Sequence, residues 1–316
     1  MKLNYKHHVL RKQKWVKKGL IFKPHGDLAW MRSHAANPEA EHLFDDVFRV
    51  YFSCRDNENR SHIGYADVDI NFPFKMIALA EKPLLSPGEI GLFDDSGVSL
   101  ACINIINGKR HLYYLGWNLG VTVPWRNSVG LAIYSEETCE FEKYSKAPLM
   151  DRNNVDPYSI SYPFILKDSN IYRMWYGSNL SWGPNQEDMA HLIKYAESND
   201  GINWDRKGHI ALNFKNSSEY AMSRPFVLKE NGLYKMWYSY RGKAYRIGYA
   251  ESTDGIAWER KDEEVGIDVS DTGWDSETIE YPFIFNHKGD RYMLYNGNEY
   301  GKTGIGLAIL QKKNEF

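Results

Sequence analysis

The 316-residue chain holds only three cysteines, Cys54, Cys102 and Cys139. They show neither metal-site spacing nor an even set for disulfides, so cross-links do not organise the fold. The histidines lack HExxH or comparable ligand spacing, which speaks against a catalytic transition metal. No run approaches the ~20 apolar residues that a membrane helix needs. The basic amino-terminal stretch MKLNYKHHVLRKQKW has no apolar core of a secretory signal. Charge is nearly balanced, with 39 lysines and arginines against 41 acids, so no nucleic-acid or anionic-membrane surface is expected. Sustained helical periodicity is missing too. These absences lead to the expectation of a cytoplasmic chain forming one domain over residues 1–316, without nucleic-acid partners or membrane insertion, as a monomer or homodimer.

What the chain does have is repetition. Aromatic phrases recur as FRVYFSCRD, HLYYLGWN, YRMWYGSN, YKMWYSYR and YMLYNGN, anchored on Phe52, Tyr114, Tyr176, Tyr238 and Tyr295. The anchors stand 62, 62, 62 and 57 residues apart, and a fixed period of this size marks a repeat architecture. Each anchor is followed by a second phrase (HIGYADVDI, SVGLAIYSE, LIKYAESND, RIGYAESTD, GIGLAIL), and three are preceded by a Pro-Phe phrase whose proline lies 13 residues upstream.

These phrases are β-branched and aromatic, bounded by Gly, Asn and Asp. KDSN, KENG, INGK and HKGD between them are hairpin chemistry. Each unit reads as a four-stranded antiparallel sheet, and five of them predict an all-β, five-bladed β-propeller. A β-helix coil is far shorter than this period, and a sandwich gives no reason for five matched units. The fifth copy ends after its third strand, while WVKKGLI (15–21) matches the fourth-strand phrase WDRKGHI (204–210). An amino-terminal strand is therefore expected to complete the last blade and remove its open edge.

Acids collect just before the innermost strands. Asp94, Asp156 and Asp275 fall seven residues before the proline or its equivalent, Glu219 six and Glu277 five. The expectation is that they surround the mouth of one axial funnel. Long loops at 116–128 and 177–191 bring Trp117, Trp125 and Trp182 to the same face. Arg55 and Arg241 occupy matched positions, and Arg224 precedes Pro225. Carboxylates, arginines and aromatic platforms together suit a polar, ring-shaped ligand. The plain alternatives are Asx-turns for the aspartates and an Arg224–Glu219 scaffold pair.

The motifs GLFDDSGV, YYLGWNLGVTVPWRNSVGLAIYS, DPYSISYPFILK, YRMWYGS, IKYAESNDGINW and SRPFVLK resemble the five-bladed propeller glycosidase superfamily. It includes glycoside hydrolase families 43, 32, 62 and 68 and the family 130 mannoside phosphorylases. The nearest resemblance is to members associated with bacterial surface-polysaccharide biosynthesis. It implies an enzyme that cleaves or transfers a glycosidic or activated-sugar bond by carboxylate acid/base catalysis with inversion. The implied catalytic set is Asp94, Asp156, Glu219 and Glu277. His34, Arg55, Asp95, Trp117, Tyr158, Trp182, Arg224 and Arg241 form the substrate-binding set. Two departures stand out. The family 43 base position is occupied by SHAANPE, with His34 and Asn37, and its acid position by Ser161, while the E-x-P form appears at Glu280-Tyr281-Pro282. The missing base resembles the phosphorylases, with phosphate as co-substrate held by His34 and the arginines. A structural Ca2+ is the other cofactor the resemblance admits, and a non-catalytic carbohydrate-binding propeller is the alternative to an enzyme.

Overall fold

The computed structural model describes residues 12–312. Its strands fall into five antiparallel units. The first comprises β2 (Ser33–Phe44), β3 (Val47–Arg55), β4 (Ser61–Asp69) and β5 (Lys75–Leu79), and β1 (Trp15–Phe22) lies outside it. The second comprises β6 (Gly97–Ile106), β7 (Lys109–Leu119), β8 (Trp125–Ser135) and β9 (Glu140–Lys143). The third comprises β10 (Ile160–Asp168), β11 (Ile171–Ser181), β12 (Ala190–Ser198) and β13 (Ile210–Leu212). The fourth comprises β14 (Ala221–Glu230), β15 (Leu233–Arg241), β16 (Tyr245–Ser252) and β17 (Glu259–Arg260). The fifth contains β18 (Glu280–His287), β19 (Asp290–Asn296) and β20 (Ile305–Leu310), and β1 pairs antiparallel with β20 to complete it. This is the strand expected from WVKKGLI.

The inner strands touch in ring order, β2 to β6, β6 to β10, β10 to β14, β14 to β18 and β18 back to β2. The hairpins follow the turn chemistry. Asn107-Gly108 and Asn231-Gly232 both take positive φ at the two central residues, the geometry that lets a two-residue loop match strand twist.

The repeat exists because each anchor ring needs one space. Tyr114 pairs with Gly130 and Tyr238 with Gly248 on the next strand. A Cβ on either glycine would sit 2.2 and 2.5 Å from the tyrosine ring, so the side chain lies flat across bare backbone. In the third unit Lys194 stands opposite Tyr176 instead. Its ammonium reaches Asp156 at 3.1 Å.

Each tyrosine anchor's hydroxyl then donates to an aspartate, buried in three of the four cases and half-buried at Asp262: Tyr114 to Asp94 (3.1 Å), Tyr176 to Asp156 (2.9 Å), Tyr238 to Asp262 (2.5 Å) and Tyr295 to Asp275 (3.0 Å). A cation from the outermost strand or the segment leading to it meets the same carboxylate. Lys143 is 2.6 Å from Asp94, Arg206 3.1 Å from Asp156, Arg260 2.8 Å from Asp262 and Lys17 2.7 Å from Asp275. Each blade is thereby tied from its second strand to its edge. The first blade has Phe52 as anchor and no such lock.

Removing one partner of a buried ion cluster strands the other charges, at about 3–5 kcal/mol. Lys194 and Arg206 have side chains only 8% and 11% exposed. Asp156→Ala is therefore expected to lose on the order of 3 kcal/mol in urea unfolding. Tyr295→Phe, which removes one hydrogen bond, should lose about 1 kcal/mol. An Asp156→Ala protein with the wild-type midpoint would show that the cluster does not stabilise the blade.

Candidate functional site

Every inner strand breaks register at an equivalent place: Ala36/Glu39, Leu100/Cys102, Ser161/Phe164, Ser223/Phe226 and Glu280/Phe283, with β2 carrying two further shifts at Ser33/Ala36 and His42/Phe44. At four of these bulges the residue before proline holds positive φ: Asn37 (55°), Tyr162 (38°), Arg224 (51°) and Tyr281 (56°). A bulge re-aims side chains, and the left-handed conformation costs an L-residue of order 1–3 kcal/mol. The N–H groups freed from the ladder find partners on the neighbouring blade. Leu100 N–H donates to Ser53 Oγ (2.8 Å), Tyr281 N–H to Ser239 Oγ (2.8 Å) and Asn37 N–H to Asn296 Oδ1 (2.9 Å).

Around this ring lies a cavity of about 560 Å3. Asn37, Tyr162 and Tyr281 line it from the bulges. Arg224 instead crosses the axis, donating to the carbonyls of Ala101, Asn37 (3.0 Å) and Pro38 (3.2 Å). Burial pulls its guanidinium below the ordinary arginine range, and Glu39 opposes that shift. Burial in turn pushes the Glu39 carboxyl up to about 7, against the pull of Arg224 and the Ile103 N–H.

The residues just before the bulges form a ring of equivalents. Ala36, Ser99, Ser161 and Ser223 line the cavity. The fifth member is Glu280, fully buried. Neither of its carboxylate oxygens has a hydrogen-bond partner among the described residues. Its charge is felt by Tyr245, Tyr281 and Tyr300, which all line the cavity, so the carboxyl stands directly behind a tyrosine wall. Burial pushes its pKa up to about 8, with the Tyr300 N–H and Arg241 pulling the other way. Glu280 is thus a carboxylic acid at neutral pH.

The walls differ in character. From the first and fifth blades come His34, Arg55, Asn59, Glu299 and Lys302. Lys302 pairs with Glu299 at 2.6 Å, and Arg55 donates to Asn59 at 2.8 Å. His34 is lowered to about 4 by burial and by the charges of Arg55 and Lys302, so it is a neutral imidazole at pH 7. The second and third blades supply Trp117, Leu119, Trp125, Met189 and His191, together with the neutral polar Asn127, Asn179 and Gln186. His191, also lowered to about 4 by burial, shares its Nδ1 with the Met222 carbonyl at 2.7 Å.

Of the sequence-derived candidates, His34, Arg55 and Trp117 line the cavity. Trp182 stands behind it, its indole N–H donating to the Trp125 carbonyl at 3.0 Å. Arg241 buttresses it through the Tyr300 hydroxyl at 2.7 Å. Arg224 lies on the axis as described. The acids lie elsewhere. Asp94 and Asp156 are sealed in the blade locks, 1% and 0% exposed. Glu219 forms a two-point pair with Arg260 (2.6 and 3.1 Å), not with Arg224. The Glu277 side chain is exposed, and its backbone is held by Asn298 and Arg246. Asp95 closes its own loop on the Gly91 N–H and the Ser96 hydroxyl. Tyr158 is 40% exposed. None of these six lines the cavity, because a cation, a loop or solvent takes each one first. Conversely, Glu280, His191, Tyr162, Tyr281 and Lys302 were not among the candidates, although Glu280 had a signal in its E-x-P sequence.

No family model matches the chain. It is 47% identical over 297 residues to the mycobacterial protein Rv1502 (Mycobacterium tuberculosis strain H37Rv), covering 94% of this chain and 99% of that one. It is 28% identical over 175 residues, 52% of this chain and 54% of the relative, to a beta-1,2-mannobiose phosphorylase from Thermoanaerobacter sp. strain X514. Among solved structures, one described as a glycoside hydrolase superposes with a TM-score of 0.74 at 17% identity, covering 96% and 93% of the two chains. With the strand pairings above, these matches make the chain a member of the Rv1502 family, with the all-β propeller fold of the solved glycoside hydrolase.

Proposed function

We propose that the protein is an enzyme that breaks or transfers a glycosidic bond in the axial cavity, with Glu280 as proton donor. The observation that carries this reading is the state of Glu280: fully buried, unpartnered and raised to about 8. A general acid must hold its proton at the working pH and lose it readily in the transition state. Among the described residues, the only carboxylate lining the cavity is Glu299, already paired with Lys302. The site thus supplies an acid but no free carboxylate base, whereas two-carboxylate hydrolysis needs both.

The charged wall suggests the attacking group. On the wall from the first and fifth blades, Arg55 and Lys302 sit with the neutral imidazole of His34, and guanidinium and ammonium donors suit phosphate oxygens. In the proposed step a phosphate oxygen forms the bond to the anomeric carbon as the carbon–oxygen bond to the leaving group breaks. The Glu280 proton passes by way of the tyrosine wall in front of it to the departing oxygen, the proton of the attacking phosphate replaces it, and the products are a sugar 1-phosphate and an alcohol. The phosphorylase similarity over half the chain favours this reading over hydrolysis. The three cysteines are free thiols, which suits a reducing, cytoplasmic setting.

Glycosides of the common hexoses should release sugar 1-phosphate when inorganic phosphate is added. Glu280→Gln should lower turnover at least about 100-fold while leaving glycoside binding intact, and Arg55→Gln should raise KM for phosphate. Wild-type protein that binds glycosides but cleaves none, with or without phosphate, would instead be a binding module. The rate should fall above pH 8 as Glu280 loses its proton.

The same group dictates a stability trend. Its folded pKa exceeds its unfolded one, so the native state binds more protons between about 4.5 and 8, and stability falls as pH rises through that window. Glu280→Gln should make this slope shallower, leaving the part that Glu39 contributes below about 7, and raise the melting temperature at pH 8 relative to pH 5. An unchanged slope would place the titration elsewhere.

A further inference from the structure

We propose that the cavity wall formed by the second and third blades is a subsite for an apolar aglycone, an alkyl or aryl group carried by the glycoside. The proposal rests on the glycosidic reading above and adds the chemistry of the leaving group. Its first support is the segregation of charge. The lining residues between positions 117 and 191 include no lysine, arginine, aspartate or glutamate. All the charged lining groups, Arg55, Glu299 and Lys302, belong to the first and fifth blades. A ligand held by its polar end at that wall projects its other end toward Trp117, Leu119 and Trp125.

The second support is contiguous apolar surface beyond the cavity. Leu119 pairs across its hairpin with Trp125. The Trp125 ring meets Trp182 edge-on at 5.1 Å, and Trp182 also bonds the Trp125 carbonyl. Leu180 lies two residues before Trp182 on the same strand end. The Gly120 N–H bonds to the Pro124 carbonyl at 3.2 Å and closes a turn with Val121 at its tip. Leu119 is 71% exposed, Val121 103% and Leu180 43%. Large side chains left in water beside a cavity mouth mark a surface that something apolar covers. A second sugar would set hydroxyl groups against Leu119 and Val121, whereas an alkyl chain removes both from water.

Calorimetric titration with methyl and octyl glycosides of glucose, mannose and galactose, below micelle-forming concentrations, tests this. For any sugar that binds, the octyl compound should bind at least about tenfold more tightly, the gain from removing two methylenes from water. Val121→Ser combined with Leu180→Ser, at two positions outside the cavity lining, should abolish that ratio and leave methyl glycoside affinity unchanged. Equal affinity of the two glycosides would overturn the aglycone subsite and leave the glycosidic reading standing. So would an octyl advantage that survives the double substitution, since it reports non-specific adsorption. Binding of no glycoside at all would remove both readings.

Discussion

Five inner strands converging on one axis create a problem that regular sheet geometry does not solve. Side chains on a pleated strand alternate between the two blade faces, so an unbroken ladder points nothing directly along the axis. The bulge in each inner strand resolves this by inserting a residue and turning its neighbours inward. The freed N–H groups are recovered by Ser53, Ser239 and Asn296 of adjacent blades. The device that builds the cavity therefore also stitches blade to blade. Arg224 belongs to the same solution: its guanidinium spans carbonyls of two other blades and closes the axis below the cavity.

Buried carboxylates in this protein divide by whether a cation meets them. Asp94, Asp156 and Asp275 each receive a tyrosine hydroxyl and a lysine or arginine, which makes them scaffold. Their repetition from blade to blade is the mark of that role. A catalytic group in a pseudo-symmetric ring is instead expected to break the symmetry, since a substrate is not fivefold. Glu280 is such a break: the other four positions of its ring are Ala36, Ser99, Ser161 and Ser223.

The propeller was legible because most blades solve the same packing problem with similar residues. A tyrosine opposite a glycine, an Asn-Gly hairpin and a proline after the bulge recur at fixed spacing, and even the closing strand showed in the match of residues 15–21 to 204–210. The acids misled for the same reason. Their regular spacing was real, but their partners are remote in sequence, Lys143 49 residues from Asp94 and Lys17 258 residues from Asp275. No local pattern announces such a cation. Glu280 carried a visible E-x-P signal, in a different blade from the one the family resemblance implied. Its isolation from hydrogen-bond donors is a fact of three dimensions alone.

Glu39 sharpens the distinction. It too is buried and raised, to about 7, so a shifted pKa does not by itself select Glu280. But Glu39 accepts the Ile103 N–H at 2.9 Å and faces the otherwise uncompensated charge of Arg224, which pins the axis. Its burial has a structural return. Glu280 has less: the cation that acts on it, Arg241, is engaged by the Tyr300 hydroxyl, the Tyr300 N–H is its one nearby donor, and neither carboxylate oxygen makes a hydrogen bond of normal geometry. A fold that locks at least three other buried acids into ion pairs has left this one unpaired beside its central cavity. Burying it without compensation weakens the native state, a cost that the scaffold role of the other acids does not account for.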